Sequence, residues 1–145
     1  MADRNTILND LKNDLEKNIK PSVSPYQTSI AEVKRGIYKF DTIVNKPCVC
    51  FSVEDDKAEH EMFDSAGSNQ VRFLHIYLYG YLDNDGMNKY DNIHQLVTDV
   101  EYFLDNDFTY SSNTYIGDIG VVEGGASAPC SFFDMEVMVI YEKNN

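Results

Sequence analysis

One segment, residues 71–82 with the sequence VRFLHIYLYGYL, constrains the fold more than any other part of the chain. Read with the period of two that a β-strand has, it divides into an aliphatic face and an aromatic face: Leu74, Ile76, Leu78 and Leu82 against Phe73, His75, Tyr77, Tyr79 and Tyr81. A strand with one face in water normally alternates apolar with polar residues. Since this strand alternates aliphatic with aromatic residues, we predict that both of its faces contact protein.

Hydrophobic periodicity predicts two helices and five strands along the chain. The helices are predicted at 3–19 and 88–104, and the strands at 28–37, 47–53, 70–82, 113–122 and 131–141. Asp3 or Thr6 is placed to cap the first helix, and Pro21 ends it. Because the strands come in pairs joined by turns, the order favours an α+β fold with two helices on one face of a mostly antiparallel or mixed sheet.

The length of 145 residues fits a single domain spanning 1–145. Within it we distinguish an N-terminal helix and linker at 1–25, an acidic loop at 54–69 and a glycine-rich hairpin tip at 123–129. The aliphatic row of residues 74–82 is the natural floor for the two helices. The aromatic row is left for another purpose, and two alternatives stay open: a second internal layer formed by residues 28–53, or contact with another subunit.

The charge of the chain restricts its partners. The formal net charge is −12, from 24 acidic and 12 basic residues. Binding to nucleic-acid phosphates or to anionic lipid depends on lysine and arginine, so this balance argues against both. An acidic surface suits a protein that DNA must pass without binding to it, and it also keeps a protein soluble.

The cysteine pattern and the termini predict a reducing setting. Cys48, Cys50 and Cys130 make an odd number, and no Cys or His pair stands near the first two to complete a zinc site. We therefore expect reduced thiols in a cytoplasmic environment. The N-terminal residues lack the apolar core of a signal peptide, and no apolar run reaches the roughly 20 residues of a membrane span.

Catalytic motifs give no lead. His60, His75 and His94 do not pair at helical spacing, and the chain has neither a G-x-S-x-G elbow nor a P-loop. We therefore expect no enzymatic activity, no cofactor and no bound metal. The alternative from this class is a small monomeric enzyme or ligand-binding domain that uses a cleft near His75 and His94.

The order of these patterns over the whole chain resembles that of the tail terminator (tail completion) proteins of long-tailed bacteriophages. The resemblance rests on an opening amphipathic helix, a short strand and a proline-led strand, an acidic loop, a long strand, a helix, a glycine-rich tip and a final strand. The corresponding segments are ILNDLKNDLEKNI, IAEVKRGIYKF, KPCVCFSV, RFLHIYLYGYL, NIHQLVTDVEYFLDND and FFDMEVMVIYEK.

This resemblance implies a non-enzymatic structural protein of the virion. It implies a homohexameric ring that binds the last ring of tail tube protein, stops tube growth and presents a surface to the head–tail connector or neck protein. Genomic DNA would pass through the lumen without specific binding, and no membrane is involved. The expected location is the head-proximal end of the tail, after assembly in the host cytoplasm. A neck or head-closure protein of similar size is the alternative.

Two sets of residues are candidates for contacts. For subunit contacts we expect the tyrosine row, the outer edge of the last strand and the basic stretch near residue 35: Tyr77, Tyr79, Tyr81, Val137, Val139, Lys34 and Arg35, with Lys39 nearby. For docking to the tube or the connector we expect residues of the acidic loop and of the hairpin tip: Glu54, Asp55, Asp56, Glu59, Glu123, Gly124 and Gly125.

Overall fold

A five-stranded mixed sheet with two helices on one face forms the domain, which confirms the predicted α+β class. The computed structural model describes residues 3–58, 69–83, 89–124 and 130–144. The helices are α1 (Arg4–Asn18) and α2 (Lys89–Tyr102), and the strands are β1 (Glu32–Arg35), β2 (Cys48–Ala58), β3 (Asn69–Asp83), β4 (Thr114–Val122) and β5 (Cys130–Asn144). A π-helical turn, Phe103–Asp107, continues α2.

The first helix forms where its leucine spacing predicts it. The side chain of Asp3 accepts a hydrogen bond from the Thr6 amide at 2.8 Å, which satisfies one of the donors left free at the helix start. The apolar residues on one stripe are fully buried: Ile7, Leu8, Leu11 and Leu15. The helix therefore packs against the rest of the core through this stripe.

The strand order in the sheet is β1–β2–β3–β5–β4. Pairing is antiparallel between β2 and β3, between β3 and β5 and between β5 and β4, and only the short β1 runs parallel to its neighbour β2. Strands β3 and β5 pair over their whole lengths, from Asn69 opposite Asn144 to Asp83 opposite Cys130. These two long strands form the centre of the sheet.

The aliphatic face of β3 is the floor of the core, as predicted. Leu74, Ile76 and Leu78 are completely or almost completely buried against side chains of both helices. Burying one such side chain contributes about 1.5–3 kcal/mol, so this row alone contributes on the scale of a domain's net stability of about 5–15 kcal/mol. The face of β3 that carries the tyrosines points the other way, away from the helices.

Three predictions about the strands need correction. Strand β2 runs to Ala58, so residues 54–58 of the predicted acidic loop are strand. Their backbones pair with β3 whatever their side chains, and a bulge between Val53 and Asp55 shifts the register. Strand β1 is shorter than the predicted 28–37. Strand β5 is not an outer edge, because β4 covers it.

A buried aspartate holds the linker between α1 and β1 in place. Asp99 of α2 is buried, and its carboxylate accepts hydrogen bonds from the backbone amides of Gln27 at 3.2 Å and Thr28 at 2.7 Å. The side chain of Gln95 donates to its other oxygen at 2.9 Å. These bonds hold residues 27 and 28 against α2, so the predicted first residue of the strand, Thr28, is not part of β1.

Candidate functional site

The sheet face turned away from the helices, here called the outer face, carries the tyrosine row. Across the strands, Tyr77 lies opposite Glu136, Tyr79 opposite Asp134 and Tyr81 opposite Phe132. The three tyrosines are half-buried, and Phe132, Asp134 and Glu136 are exposed. The centre of the outer face is therefore an aromatic strand beside a strand that carries carboxylates.

Tyr77 and Tyr79 form a stacked pair within this surface. Their ring centroids are 6.0 Å apart with an interplanar angle of 30°. The Tyr77 hydroxyl donates a hydrogen bond to Glu136 Oε1 at 3.0 Å. This arrangement fixes both rings on the outer face, with a carboxylate at one phenol tip.

Negative charge surrounds the two rings. The hydrogen bond to Glu136 raises the pKa of Tyr77 to about 12, and partial burial and the negative charges of Glu136 and Glu54 add to the effect. Burial raises the pKa of Tyr79, with smaller contributions from the charges of Asp134 and Glu54. Three carboxylates on β2 and β5 therefore lie close enough to the pair to act on it electrostatically.

Residues 36–47 cover one end of the outer face. Ile43 is buried against Cys48 and Cys50, and Tyr79 and Tyr81 pack on this small cluster. The hydroxyl of Tyr81 donates to the backbone carbonyl of Tyr38 at 3.2 Å. Thus a second internal layer, one of the two alternatives, exists over the β2 end, whereas Tyr77 and the neighbouring carboxylates of β5 have no such layer over them among the described residues.

The prediction that Val137 and Val139 contact another subunit is wrong. Both side chains are buried in the core under the helices. Strand β5 lies between β3 and β4, and the alternation along it sends these residues inwards while Asp134 and Glu136 face outwards. On this strand, the exposed residues of the outer face are Asp134 and Glu136.

The predicted basic residues Lys34 and Arg35 lie on β1, the edge strand next to β2, and Lys39 follows in the turn after it. Lys34 is engaged within the chain, because its ammonium group is 3.2 Å from Glu32 and 4.7 Å from the centroid of the Tyr38 ring. Arg35 is exposed, and its guanidinium donates to the side-chain oxygen of Asn9 at 3.3 Å. Of the two predicted cations, Arg35 is the one with an uncharged partner.

The predicted docking residues divide between strand and loop. Glu54, Asp55 and Asp56 belong to β2, so their prediction as loop residues is wrong; Asp56 is buried at the side chain, where it accepts from the Tyr141 hydroxyl. Glu123 follows β4 and lies 2.6 Å from His94 Nε2. Gly124 donates its amide to Ser131 Oγ at 2.9 Å. Glu59 and Gly125 lie outside the described residues.

The structure does not support a shared histidine cleft. His75 lies on the outer face, 3.9 Å from Asp55, whereas His94 lies on α2, on the helical side of the sheet. His60 lies outside the described residues. The thiols of Cys48 and Cys50 are buried, 3.8 Å apart. Within the described part of the chain, no three His, Cys, Asp or Glu side chains are grouped as a metal site.

Phe132, Asp134 and Glu136 are site residues that the sequence reasoning missed. The last strand, SFFDMEVMVIY, carries the signal in its first half. Phe133, Met135 and Val137 are apolar at every second position, and Phe132, Asp134 and Glu136 occupy the positions between them. A period-two reading of that strand assigns Phe133, Met135 and Val137 to the core. The alternation therefore predicts that Asp134 and Glu136 lie on the other face, beside the outward residues of the strand that pairs with this one.

The chain matches no protein-family model, and no curated protein matches it in sequence. None of the helices in the described ranges is both long enough and apolar enough to cross a membrane.

Proposed function

We propose that this protein is a non-enzymatic structural protein of a bacteriophage virion. Its copies form a ring on the head-proximal end of the tail tube, where the ring ends tube polymerisation and presents the joining surface for the head connector. The observation that carries the proposal is the outer face, where Tyr77 and the neighbouring residues of β5 lie on the side of the sheet away from the core and no described residue forms a layer over them. The resemblance in element order supplies the biological setting.

Tyrosine is well suited to such a contact. Its ring contributes a large apolar area and its hydroxyl remains available for hydrogen bonds, and for this reason aromatic residues are enriched at protein interfaces. The stacked Tyr77 and Tyr79 rings are held in place before binding, so little side-chain freedom is lost when a partner covers them. The core on the other face is already filled, so covering the tyrosines requires no rearrangement of the fold.

The net charge fits a channel for DNA. Each copy carries a formal charge of −12, and a ring multiplies that charge around its lumen. Like charge repels phosphate, and the repulsion acts over a screening length of about 8 Å at physiological salt. DNA therefore moves through such a ring without being held by its wall.

The test is a tube-length experiment. Purified tail tube protein is polymerised with and without this protein, and the tubes are measured by electron microscopy. The proposal predicts shortened tubes with a ring at one end. Tubes that keep their full length and bare ends would contradict it. Binding of the protein to purified connector but never to tubes would assign it to the neck or head closure and would overturn the terminator role.

The test variant for this experiment is Tyr77→Ser/Tyr79→Ser, which changes the outer face and leaves the aliphatic core row of β3 (Leu74, Ile76 and Leu78) as it is. We expect tubes polymerised with this variant to be as long as tubes polymerised without any of this protein. A variant that caps tubes as the wild type does would show that the tyrosine pair is not part of the assembly surface.

A further inference from the structure

The chain has a second exposed surface whose chemistry is the reverse of the outer face. It comprises Arg35, Ile37, Lys39 and Val44, on and after β1, and is here called the β1-side patch. Ile37 is 70% exposed and Val44 87% exposed, which makes them the most exposed large hydrophobic residues of the described part of the chain. Arg35 and Lys39 are exposed cations of the same segment, residues 35–44.

Among the described residues, neither cation of this patch has a carboxylate partner. Arg35 donates to an uncharged amide oxygen on Asn9, and no described carboxylate lies within ion-pair distance of Arg35 or Lys39. By contrast, Lys34 on the same strand has Glu32 as an acidic partner, and Lys57 on β2 has Asp55. In a chain of formal charge −12, a segment of ten residues that exposes two cations without a described carboxylate partner and two large aliphatic side chains is distinct in its chemistry.

We propose that the β1-side patch of one copy docks on the outer face of the next copy. This inference rests on the proposed self-assembly and specifies which surfaces meet. The cations of the patch face Glu54, Asp134 and Glu136, and a guanidinium or ammonium group binds over the Tyr77–Tyr79 pair, since aromatic rings attract cations at their faces. The aliphatic side chains of the patch cover the adjoining apolar part of the outer face at Phe132.

The two surfaces are different, so the contact is heterologous. A heterologous contact leaves one free patch and one free outer face on every pair of copies, and each pair can therefore add a third copy. Closure of such a chain gives a ring. A symmetric contact between two outer faces would instead bring Glu54, Asp134 and Glu136 of one copy against the same carboxylates of another, and like-charge contacts oppose binding.

Charge-reversal variants distinguish the heterologous contact from a symmetric contact between two outer faces. One variant carries Arg35→Glu and Lys39→Glu, and a second carries Asp134→Lys and Glu136→Lys. Each changes exposed residues, and circular dichroism and thermal unfolding check that it folds. We expect each variant alone to associate at least about tenfold more weakly than the wild type in sedimentation equilibrium.

An equimolar mixture of the two variants is the decisive arm. The acidic patch of the first variant fits the basic outer face of the second, and the native patch of the second fits the native outer face of the first. The mixture is therefore expected to assemble with alternating copies, although neither variant assembles alone. Matched controls carry Lys17→Glu/Lys20→Glu or Glu101→Lys/Asp105→Lys, which change the net charge by the same amounts at residues that belong to neither surface. They are expected to associate like the wild type.

Each other outcome overturns part of the account. If the Arg35→Glu/Lys39→Glu variant associates like the wild type, or if the mixture does not recover association, the patch is not the partner of the outer face, while the proposed ring stands. If the wild type remains monomeric at high concentration and on tail tubes, the proposed function fails as well. Should a reversal variant fail to fold, the neutral versions Arg35→Gln/Lys39→Gln and Asp134→Asn/Glu136→Gln take its place and are expected to weaken association.

Discussion

Replacing Gly80 by alanine tests how the centre of the sheet is packed. Gly80 lies on the core side of β3, directly opposite Phe133 of β5, whose ring is fully buried. A Cβ atom at Gly80 would lie 2.6 Å from Cδ1 and 2.8 Å from Cζ of that ring, well inside van der Waals contact. The ring occupies the space of the missing side chain and is enclosed by core residues, so it cannot rotate away cheaply.

The expected loss in the free energy of unfolding of the Gly80→Ala variant follows from overpacking of the core. Forcing an extra methyl group into a filled core costs about 1–3 kcal/mol. Replacing glycine by alanine in a strand also returns about 0.5–1 kcal/mol, because glycine loses more conformational freedom on folding. Gly120→Ala is the matched control: its Cβ would overlap Asp134 Oδ1, the tip of an exposed side chain that can turn into solvent. The glycine term is common to both variants, so their difference isolates the clash with Phe133.

The assay is urea unfolding followed by circular dichroism. The Gly80→Ala variant is expected to unfold about 1–3 kcal/mol more easily than the Gly120→Ala variant at an unchanged dependence on urea. In a Phe133→Leu background, which removes the ring, the penalty of Gly80→Ala should shrink. Equal stability of the two alanine variants would refute the proposed packing of Phe133 over Gly80.

Three further predictions concern the outer face, the linker and pH. The Tyr77→Ser/Tyr79→Ser variant should lose self-association in sedimentation experiments. Its free energy of unfolding is expected to fall by about 1 kcal/mol or less from the change at Tyr77, a half-buried cross-strand position, and by more from the change at Tyr79, which also packs on the cluster of Ile43, Cys48 and Cys50. Asp99→Ala should lower the free energy of unfolding by about 1–3 kcal/mol in urea, because buried amide donors lose their acceptor, and Asp99→Asn should lose less. Burial and the hydrogen bond to Asp56 raise the pKa of Tyr141 from 10.0 to about 12; the folded state then holds this proton more tightly than the unfolded state, so stability is retained below pH 10 and falls as the pH rises towards 12. Tyr141→Phe should reduce that fall in chemical unfolding measured across the range, and an unchanged pH dependence would contradict the assignment.

Local patterns in the sequence predicted the elements of this fold well. The leucine stripe and Asp3 cap of α1, the two-faced strand β3 and the helix after it all depend on neighbours within a few residues, which a period and a capping residue report directly. The α+β class followed from the order of these elements. Each of these features is determined by local spacing and does not require knowledge of which strands pair.

The strand order was the main feature that local patterns could not give. Val137 and Val139 were predicted at the outer edge of the last strand, yet β5 pairs between β3 and β4. The charged residues 54–58 were expected in a loop, although backbone pairing with β3 holds them in β2. The backbone at residues 27 and 28, where the strand was predicted to begin, is bound by Asp99, more than 70 residues away in the chain. All three depend on long-range pairing that no short window of sequence contains.

The candidate surface was predicted in part. The tyrosine row was found because its alternation is local, and the structure places it on the outer face. The carboxylates of Asp134 and Glu136 become part of the same surface only through the register of β3 with β5. The cover that residues 36–47 give to the β2 end likewise depends on the buried position of Ile43.

Chemical footprinting of the tyrosines tests the central claim most directly. The protein is exposed to hydroxyl radicals when dilute and when concentrated or bound to tail tubes, and labelling is located by mass spectrometry. The account predicts that Tyr77 and Tyr79 are labelled in the dilute protein and protected in the assembled state, while Tyr102 on the helical side, 39% exposed, is labelled equally in both. Equal labelling of Tyr77 and Tyr79 in the two states would contradict the claim that copies meet through the outer face.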